Sequence, residues 1–130
     1  MSRLAAVVVC LVLGAAFARA DARKDCYEKS GDLAIRACTE AIGRDPADVV
    51  SLVNRAFEYS QKGDFPRSIA DYNKAIELEP SRWDALHGRA WAYLKSGKAA
   101  EGLADAERAV QIKPNEGQSL DVRGHASEAL

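Results

Sequence analysis

Apolar residues return with a helical period through the middle of the chain. Over residues 49–61 they are spaced three and four positions apart, at Val49, Leu52, Val53, Ala56, Phe57 and Tyr59. This spacing predicts an amphipathic helix. Gly63 marks its end, Asp64 is suited to cap a second helix, and Pro80 ends that helix because proline disfavours helical geometry in the residue before it. The pattern therefore predicts a helical hairpin.

The same residue types return every 34 positions. The interval separates prolines, leucines, arginines and glycines: Pro46, Pro80 and Pro114; Leu52, Leu86 and Leu120; Arg55, Arg89 and Arg123; Gly63 and Gly97. Several registers that share one interval constitute an internal repeat. A period of this length is typical of solenoids, in which each hairpin buries its apolar face against the next one.

This spacing resembles that of the tetratricopeptide repeat family. The residues that carry the resemblance are Leu52, Ala56, Tyr59, Gly63, Ser68, Tyr72, Ala75 and Pro80. The resemblance covers about residues 26–130 and is strongest over 49–80. It implies antiparallel helix pairs that stack into a right-handed superhelix with a concave side for ligands. The expected fold is all-α, a short superhelical solenoid of about six helices.

The two ends of the repeat region depart from the pattern. Residues 32–46 match only the second helix of a repeat, and residues 21–31 before them are expected to form an N-terminal arm. Two full repeats follow, over 47–80 and 81–114. Residues 115–130 match a first helix with few large apolar residues, which suits a solvated cap on the end of a solenoid.

Residues 1–20 have the features of a secretory signal peptide. Arg3 precedes an uncharged apolar stretch, and Ala18-Arg19-Ala20 fits a cleavage site. The apolar run of about 14 residues is shorter than the ~20 that a membrane-spanning helix requires. The alternatives are an uncleaved membrane anchor and a lipoprotein. A lipoprotein is less favoured, because Cys10 lies inside the apolar run and the valines before it are larger than the residues that lipid attachment sites prefer. We expect an exported protein, in the periplasm or outside the cell.

Composition narrows the possible functions. The chain has 18 basic and 19 acidic residues, and removal of residues 1–20, which hold two arginines and no acid, leaves 16 against 19. This balance lacks the positive charge that nucleic-acid binding requires. The sequence has no phosphate-binding loop, no nucleophile elbow and no zinc-protease motif. We therefore expect neither an enzyme nor a cofactor.

Cys26 and Cys38 remain after signal cleavage. An even pair in an exported protein predicts a disulfide bond, which would fold the N-terminal arm over the first hairpin. The chain must then break at Gly31, because one continuous helix would hold the two backbones about 18 Å apart. Two reduced, buried cysteines are the alternative. A metal or redox site is not expected, because there is no C-x-x-C motif and the two histidines, His87 and His125, lie far along the chain from the two cysteines.

Charged residues also follow the repeat. Arg55, Arg89 and Arg123 recur on the first helices, and Asp71 and Asp105 recur on the second helices. We expect these residues to pair within and between hairpins as a structural ladder, because a guanidinium group can bind a carboxylate through two hydrogen bonds. The alternative is a row that binds an anion, but two aspartates already balance two of the three arginines.

The resemblance places ligands on one face of the first helices. Carried over to this chain, the groove positions are Val53, Asn54, Phe57, Gln61, His87, Trp91, Leu94, Lys95, Asp121 and His125. Aromatic anchors favour an extended or helical peptide as the ligand. The alternative is that Phe57 and Trp91 are partly buried between neighbouring helices. Gln118 and Val122 stand where the family's clamp for a C-terminal carboxylate needs cations, so that clamp is not expected.

These observations lead to one hypothesis and one alternative. The hypothesis is an exported adaptor or scaffold that binds a protein or peptide of unknown identity in the concave groove. The alternative is a structural module of an envelope assembly that acts through its terminal helix or through weak self-association. Neither requires a cofactor, a metal, nucleic acid or a membrane span after signal cleavage.

Overall fold

The computed structural model describes residues 21–130, so the signal peptide predicted over 1–20 lies outside the described residues. Seven helices account for the described secondary structure: α1 (21–28), α2 (Gly31–Arg44), α3 (Val49–Gln61), α4 (Phe65–Leu78), α5 (Trp83–Lys95), α6 (Ala99–Ile112) and α7 (Gly117–Glu128). This part of the chain contains no strand. The fold is all-α, as the repeat pattern predicts.

Short turns reverse the chain between consecutive helices. Gly63 and Gly97 hold the turns after α3 and α5 with positive φ angles of 76° and 81°, a conformation that side chains with a Cβ disfavour. Asp64 caps α4 by accepting a hydrogen bond from the backbone N–H of Arg67. Each helix from α3 onward packs on the helix before it, so the hairpins stack in chain order.

Small residues allow the helices to approach closely. Nine alanines of the described residues are fully buried in the helices: Ala34, Ala56, Ala75, Ala85, Ala90, Ala92, Ala106, Ala109 and Ala126. The main cluster also contains Leu52, Tyr72 and Leu86. No helix within residues 21–130 is long and apolar enough to cross a membrane.

The segment expected to be an N-terminal arm is a helix, so the described residues contain one helix more than predicted. The chain breaks after α1, where Ser30 is extended and Gly31 has a φ of 61°. This break brings the Cα atoms of Cys26 and Cys38 to 4.7 Å, and their sulfurs form a disulfide bond. Both cysteines are buried and pack with Ala37. The short helix α1 therefore covers the face of α2 that the first helix of a complete repeat would cover.

A second attachment of α1 was not predicted. Arg23 donates two hydrogen bonds to Asp48, from Nε to Oδ2 at 2.8 Å and from Nη2 to Oδ1 at 3.0 Å. Asp48 is buried at the N-terminus of α3, where it also accepts hydrogen bonds from Ser51. Burial opposes ionisation of Asp48, but the hydrogen bonds from Arg23 and Ser51 outweigh it and lower the pKa of this carboxyl group.

Two arginines bridge three consecutive helices each. Arg55 on α3 binds Asp71 on α4 through Nε and Nη2, at 2.7 and 2.8 Å, and donates from Nη1 to Thr39 on α2. Arg89 on α5 repeats the arrangement with Asp105 on α6 and Asn73 on α4. The two Arg–Asp pairs lie within hairpins, as the spacing of the charges predicts. The contacts between hairpins go to the neutral residues Thr39 and Asn73, which the spacing of the charges did not indicate.

Candidate binding groove

A cavity of about 610 Å³ opens between the first helices of the hairpins. Its walls come from α3, the start of α4, α5 and α7: Phe57, Ser60, Gln61, Phe65, His87, Trp91, Lys95, Gln118 and Asp121. These helices lie side by side because α3 contacts α5 and α5 contacts α7. The cavity therefore extends across two neighbouring hairpins and the terminal helix.

Two aromatic side chains dominate the wall. Phe57 on α3 is 51% exposed, so about half of its surface is open to a ligand. Trp91 on α5 is half-buried, with Lys95 Nζ 5.6 Å from its ring centroid and the ring of His125 at 5.5 Å. Neighbouring side chains thus hold the Trp91 ring while part of it stays accessible to a ligand.

His87 contributes a neutral polar group to the wall. Burial lowers the pKa of His87 below its usual value of 6.5, and the nearby acids Asp121, Glu116 and Asp84 oppose this shift. Its Nδ1 atom is buried and has no hydrogen-bond partner among residues 21–130.

The charge of the cavity wall is mixed. Lys95 provides a cation and Asp121 an anion, and both are exposed. Asp121 lies 3.5 Å from His125 Nε2. In the part of the chain that the structure describes, no group of three or more His, Cys, Asp or Glu residues is placed to hold a metal ion. The wall therefore resembles a binding surface with an apolar centre and a polar rim.

Seven of the ten predicted groove residues line the cavity or touch its aromatic wall: Phe57, Gln61, His87, Trp91, Lys95 and Asp121 line it, and His125 contacts Trp91 without lining it. The other three do not. Val53 packs against the core, Leu94 is half-buried outside the cavity, and the Asn54 amide lies 3.9 Å from Cys26 Sγ. Residues on the flanks of a first helix contact neighbouring helices before they can reach a ligand.

Phe65 lines the cavity but was missed. It stands at the start of α4, whereas the resemblance places ligand contacts mostly on the first helices. Its signal in the sequence is an apolar residue between the Asp64 cap and Pro66, at a place where a polar residue is ordinary in a helix start. Ser60 and Gln118, which complete the wall, lie on the same face of α3 and α7 as the predicted positions.

Two family models, both described as tetratricopeptide repeat, match the chain at residues 49–82 and 71–104. The first of these ranges coincides with the α3–α4 hairpin. The chain is a tetratricopeptide repeat protein. The 34-residue period, the glycine turns and the buried alanines described above are the features of its tetratricopeptide repeats. A comparison with curated proteins finds no match.

Solved tetratricopeptide repeat structures are similar over most of the chain. The TPR2B domain of yeast Sti1, in a complex with pHsp70, has a TM-score of 0.80 and 27% identity, covering 88% of this chain and 99% of that one. The first TPR of Spaghetti (RPAP3), bound to the HSP90 peptide SRMEEVD, has a TM-score of 0.78 and 27% identity, with coverage of 88% and 91%. The second TPR domain of human RPAP3, in a complex with the HSP70 peptide SGPTIEEVD, has a TM-score of 0.71 and 26% identity, covering 74% of this chain and 80% of that one.

Proposed function

We propose that this protein is an exported adaptor that holds an extended or helical segment of another protein in the groove between α3, α5 and α7. One observation carries the proposal: Phe57 and Trp91, from two consecutive first helices, line the same open cavity. Aromatic side chains in a pocket with a polar rim are the usual anchors of protein interfaces. The proposed role is binding, without catalysis.

The similar structures support a peptide as the ligand, but the wall of this groove favours a different peptide chemistry. The peptides in the two RPAP3 structures both end in EEVD and are acidic. Here Lys95 is the cation among the residues that line the cavity, and Asp121 lies on the same wall. Val122 on α7 is fully buried and cannot meet a ligand. We therefore propose a ligand anchored by an apolar or aromatic residue rather than by an acidic tail.

The disulfide bond supports the exported location that we propose. Disulfides persist in oxidising compartments such as the periplasm and the extracellular space, whereas the cytosol keeps thiols reduced. Cys26 and Cys38 are bonded and buried, so the pair acts as a structural link rather than as a reactive thiol site. Mass spectrometry of the protein isolated from its native cells tests both points, through its first residue and its thiol content.

The groove is tested with peptides selected against it. A displayed library of random peptides is selected on the purified protein, and the recovered peptides are measured by titration against the wild type, Trp91→Ala and Trp83→Ala. Trp83 is the matched control, because it lies on the same helix outside the cavity, with Lys113 Nζ 4.3 Å from its ring centroid. The peptide SRMEEVD serves as the acidic comparison.

The expected result is a loss of about thirtyfold in affinity for Trp91→Ala, as for a binding hot spot. Trp83→Ala should bind as the wild type does, and SRMEEVD should bind more weakly than the selected peptides. Equal losses in both tryptophan variants, with unchanged helicity, would contradict a groove centred on Trp91. Tight binding of SRMEEVD would instead overturn the proposed ligand chemistry and leave the groove in place.

A further inference from the structure

The outer face of α7 repeats the residues with which earlier first helices contact their own second helices. In α3 these residues are Leu52, Arg55 and Ala56, and in α5 they are Leu86, Arg89 and Ala90. The same 34-residue spacing places Leu120, Arg123 and Gly124 in α7. In α3 and α5 this set faces α4 and α6, whereas no described helix faces it in α7.

Burial differs sharply between the equivalent positions. Leu52 is 3% exposed and Leu86 is 0% exposed, but Leu120 is 38% exposed. A Cβ added at Gly124 would meet nothing within 4 Å, whereas Ala56 and Ala90 are fully buried. The inner face of α7 already packs on the array through Ser119, Val122 and Ala126. The outer face therefore has the form of a helix contact that lacks its partner.

The charges show what the partner must supply. Arg55 and Arg89 each bind a polar group on the preceding second helix and an aspartate on their own second helix. Glu107 on α6 stands at the position of Thr39 and Asn73. Arg123 is exposed and forms no side-chain hydrogen bond or ion pair with residues 21–130. It lacks the aspartate that completes the bridge in the two earlier cases.

The helices that cover α3 and α5 define the shape of the partner. Both carry a buried small residue, an aspartate three positions later and an alanine four positions after that: Ser68, Asp71 and Ala75 in α4, and Gly102, Asp105 and Ala109 in α6. A Cβ added at Gly102 would lie 3.0 Å from the Ala90 carbonyl oxygen, so the small residue lets the two helices approach. The aspartate then reaches the arginine.

We propose that the outer face of α7 docks a helix of another protein that carries this small-residue, aspartate and alanine pattern. A second copy of this chain does not supply it from α2, where Ala37 stands at the aspartate position. The matching helices α4 and α6 are already packed within their own hairpins. Charge complementarity with Arg123 requires the aspartate, and contact with Leu120 requires an apolar face, so the partner is an amphipathic helix that carries this aspartate.

The probe is a synthetic peptide with the sequence of residues 97–114, which contains α6. It is titrated into the full protein while the backbone NMR signals are followed, beside the same peptide with Asp105→Asn. The protein variants are Arg123→Ala on the proposed face and Trp91→Ala in the groove. Arg123 is exposed, so its substitution leaves the fold intact, and circular dichroism checks this.

A short peptide binds weakly when it must also form its helix. The decisive test therefore uses a protein to which the same helix is covalently attached. Residues 97–114 are appended after Leu130, which keeps the 34-residue register because Leu130 is equivalent to Ser96. The appended helix is then held close to α7. Hydrogen exchange of the α7 amides and the melting temperature are compared with and without it, and with Asp105→Asn in the appended copy.

We expect shifts at Leu120, Arg123 and Gly124 and slower exchange throughout α7 in the tethered protein. Arg123→Ala or the Asp105→Asn probe should weaken binding about tenfold, as for a lost hydrogen bond between charged groups. Trp91→Ala should have no effect, which separates this site from the groove. Unchanged exchange and melting in the tethered protein, or a response that does not depend on Arg123, would overturn the proposal and leave α7 as a solvated cap.

Discussion

The first and second hairpins fill the same internal position by different means. Tyr72 on α4 is 2% exposed and lies against α5 at Gly88, where an added Cβ would overlap its ring and hydroxyl group. The equivalent residue of the first hairpin is Cys38, whose side chain is far smaller. There the volume beside it is taken by Cys26 from α1, through the disulfide bond.

In the third hairpin the large and the small residue of this contact exchange places. Ala106 on α6 takes the position of Tyr72, and Val122 on α7 takes the position of Gly88; the two pack in one buried cluster. A large residue faces a small one in one hairpin, and a small residue faces a larger one in the next. What the repeats keep constant is the filled volume of the pair, as close packing requires, and not the residue at either position.

The largest effect is expected from Tyr72→Ala. Removing this buried ring opens a cavity beside Gly88, and the free energy of unfolding should fall by about 3–5 kcal/mol. Adding Gly88→Val to this variant copies the Ala106 and Val122 pair of the next hairpin, so it should restore part of the loss. Chemical denaturation of the wild type, both single variants and the double variant measures this coupling.

Gly88→Val alone provides the control for that cycle. It should destabilise the protein, because the new side chain overlaps Tyr72. If the losses of the two single variants simply add in the double variant, the two positions are not a packing pair and the size rule is wrong.

The disulfide bond is expected to have the second-largest effect. Replacing Cys26 and Cys38 together by alanine should cost about 2–3 kcal/mol in the chain-entropy model for a short closed loop. The loss should be local: hydrogen exchange should accelerate in α1 and α2 while the amides of α5 and α6 stay protected. Wild-type protein treated with a dithiol reductant is the matched sample, and uniform acceleration along the chain would argue against a local link.

The arginine bridges should contribute less. Asp71→Ala leaves Arg55 half-buried without its carboxylate, and about 1.5–3 kcal/mol of unfolding free energy should be lost, since hydrogen bonds to charged groups have this magnitude. Glu77→Ala is the control, because it removes an exposed ion pair with Lys74 on the same helix and should cost about 0–1 kcal/mol. Equal melting temperatures for the two variants would show that the bridge does not stabilise the stack.

The smallest effect concerns pH. Burial lowers the pKa of His87 in the folded protein, so the unfolded chain binds more protons as the pH falls through the usual histidine range near 6.5. The contribution of His87 to the free energy of unfolding should therefore be fully present above that pH range and should decrease as the pH falls below it. His87→Gln should flatten this part of the stability curve, and the exposed His125→Gln serves as the control. A curve that stays unchanged in His87→Gln would assign the pH dependence to other groups.

The repeat period predicted α2 to α7 well because each position is seen two or three times in the sequence. The same period could not predict the contact between Arg23 and Asp48, since the residue equivalent to Asp48 in the next repeat is Arg82. It also missed the helical state of residues 21–28, which precede the first complete repeat. Asn54 was assigned to the groove, but its neighbour is Cys26 on that unpredicted helix. Sequence reasoning was weakest wherever a contact occurs only once.

The pattern of helix neighbours also bears on how the protein folds. Within α2 to α7, each helix contacts only the next helix or the one after it. Contacts between residues so close along the chain need little loop closure, and proteins of this kind fold within microseconds to milliseconds. Either central hairpin can nucleate, and structure can then spread to both ends. Insertion of one more 34-residue unit between them would lengthen the array and keep the α3–α4 and α5–α6 pairs, while the contact between α4 and α5 would be replaced by contacts with the new unit.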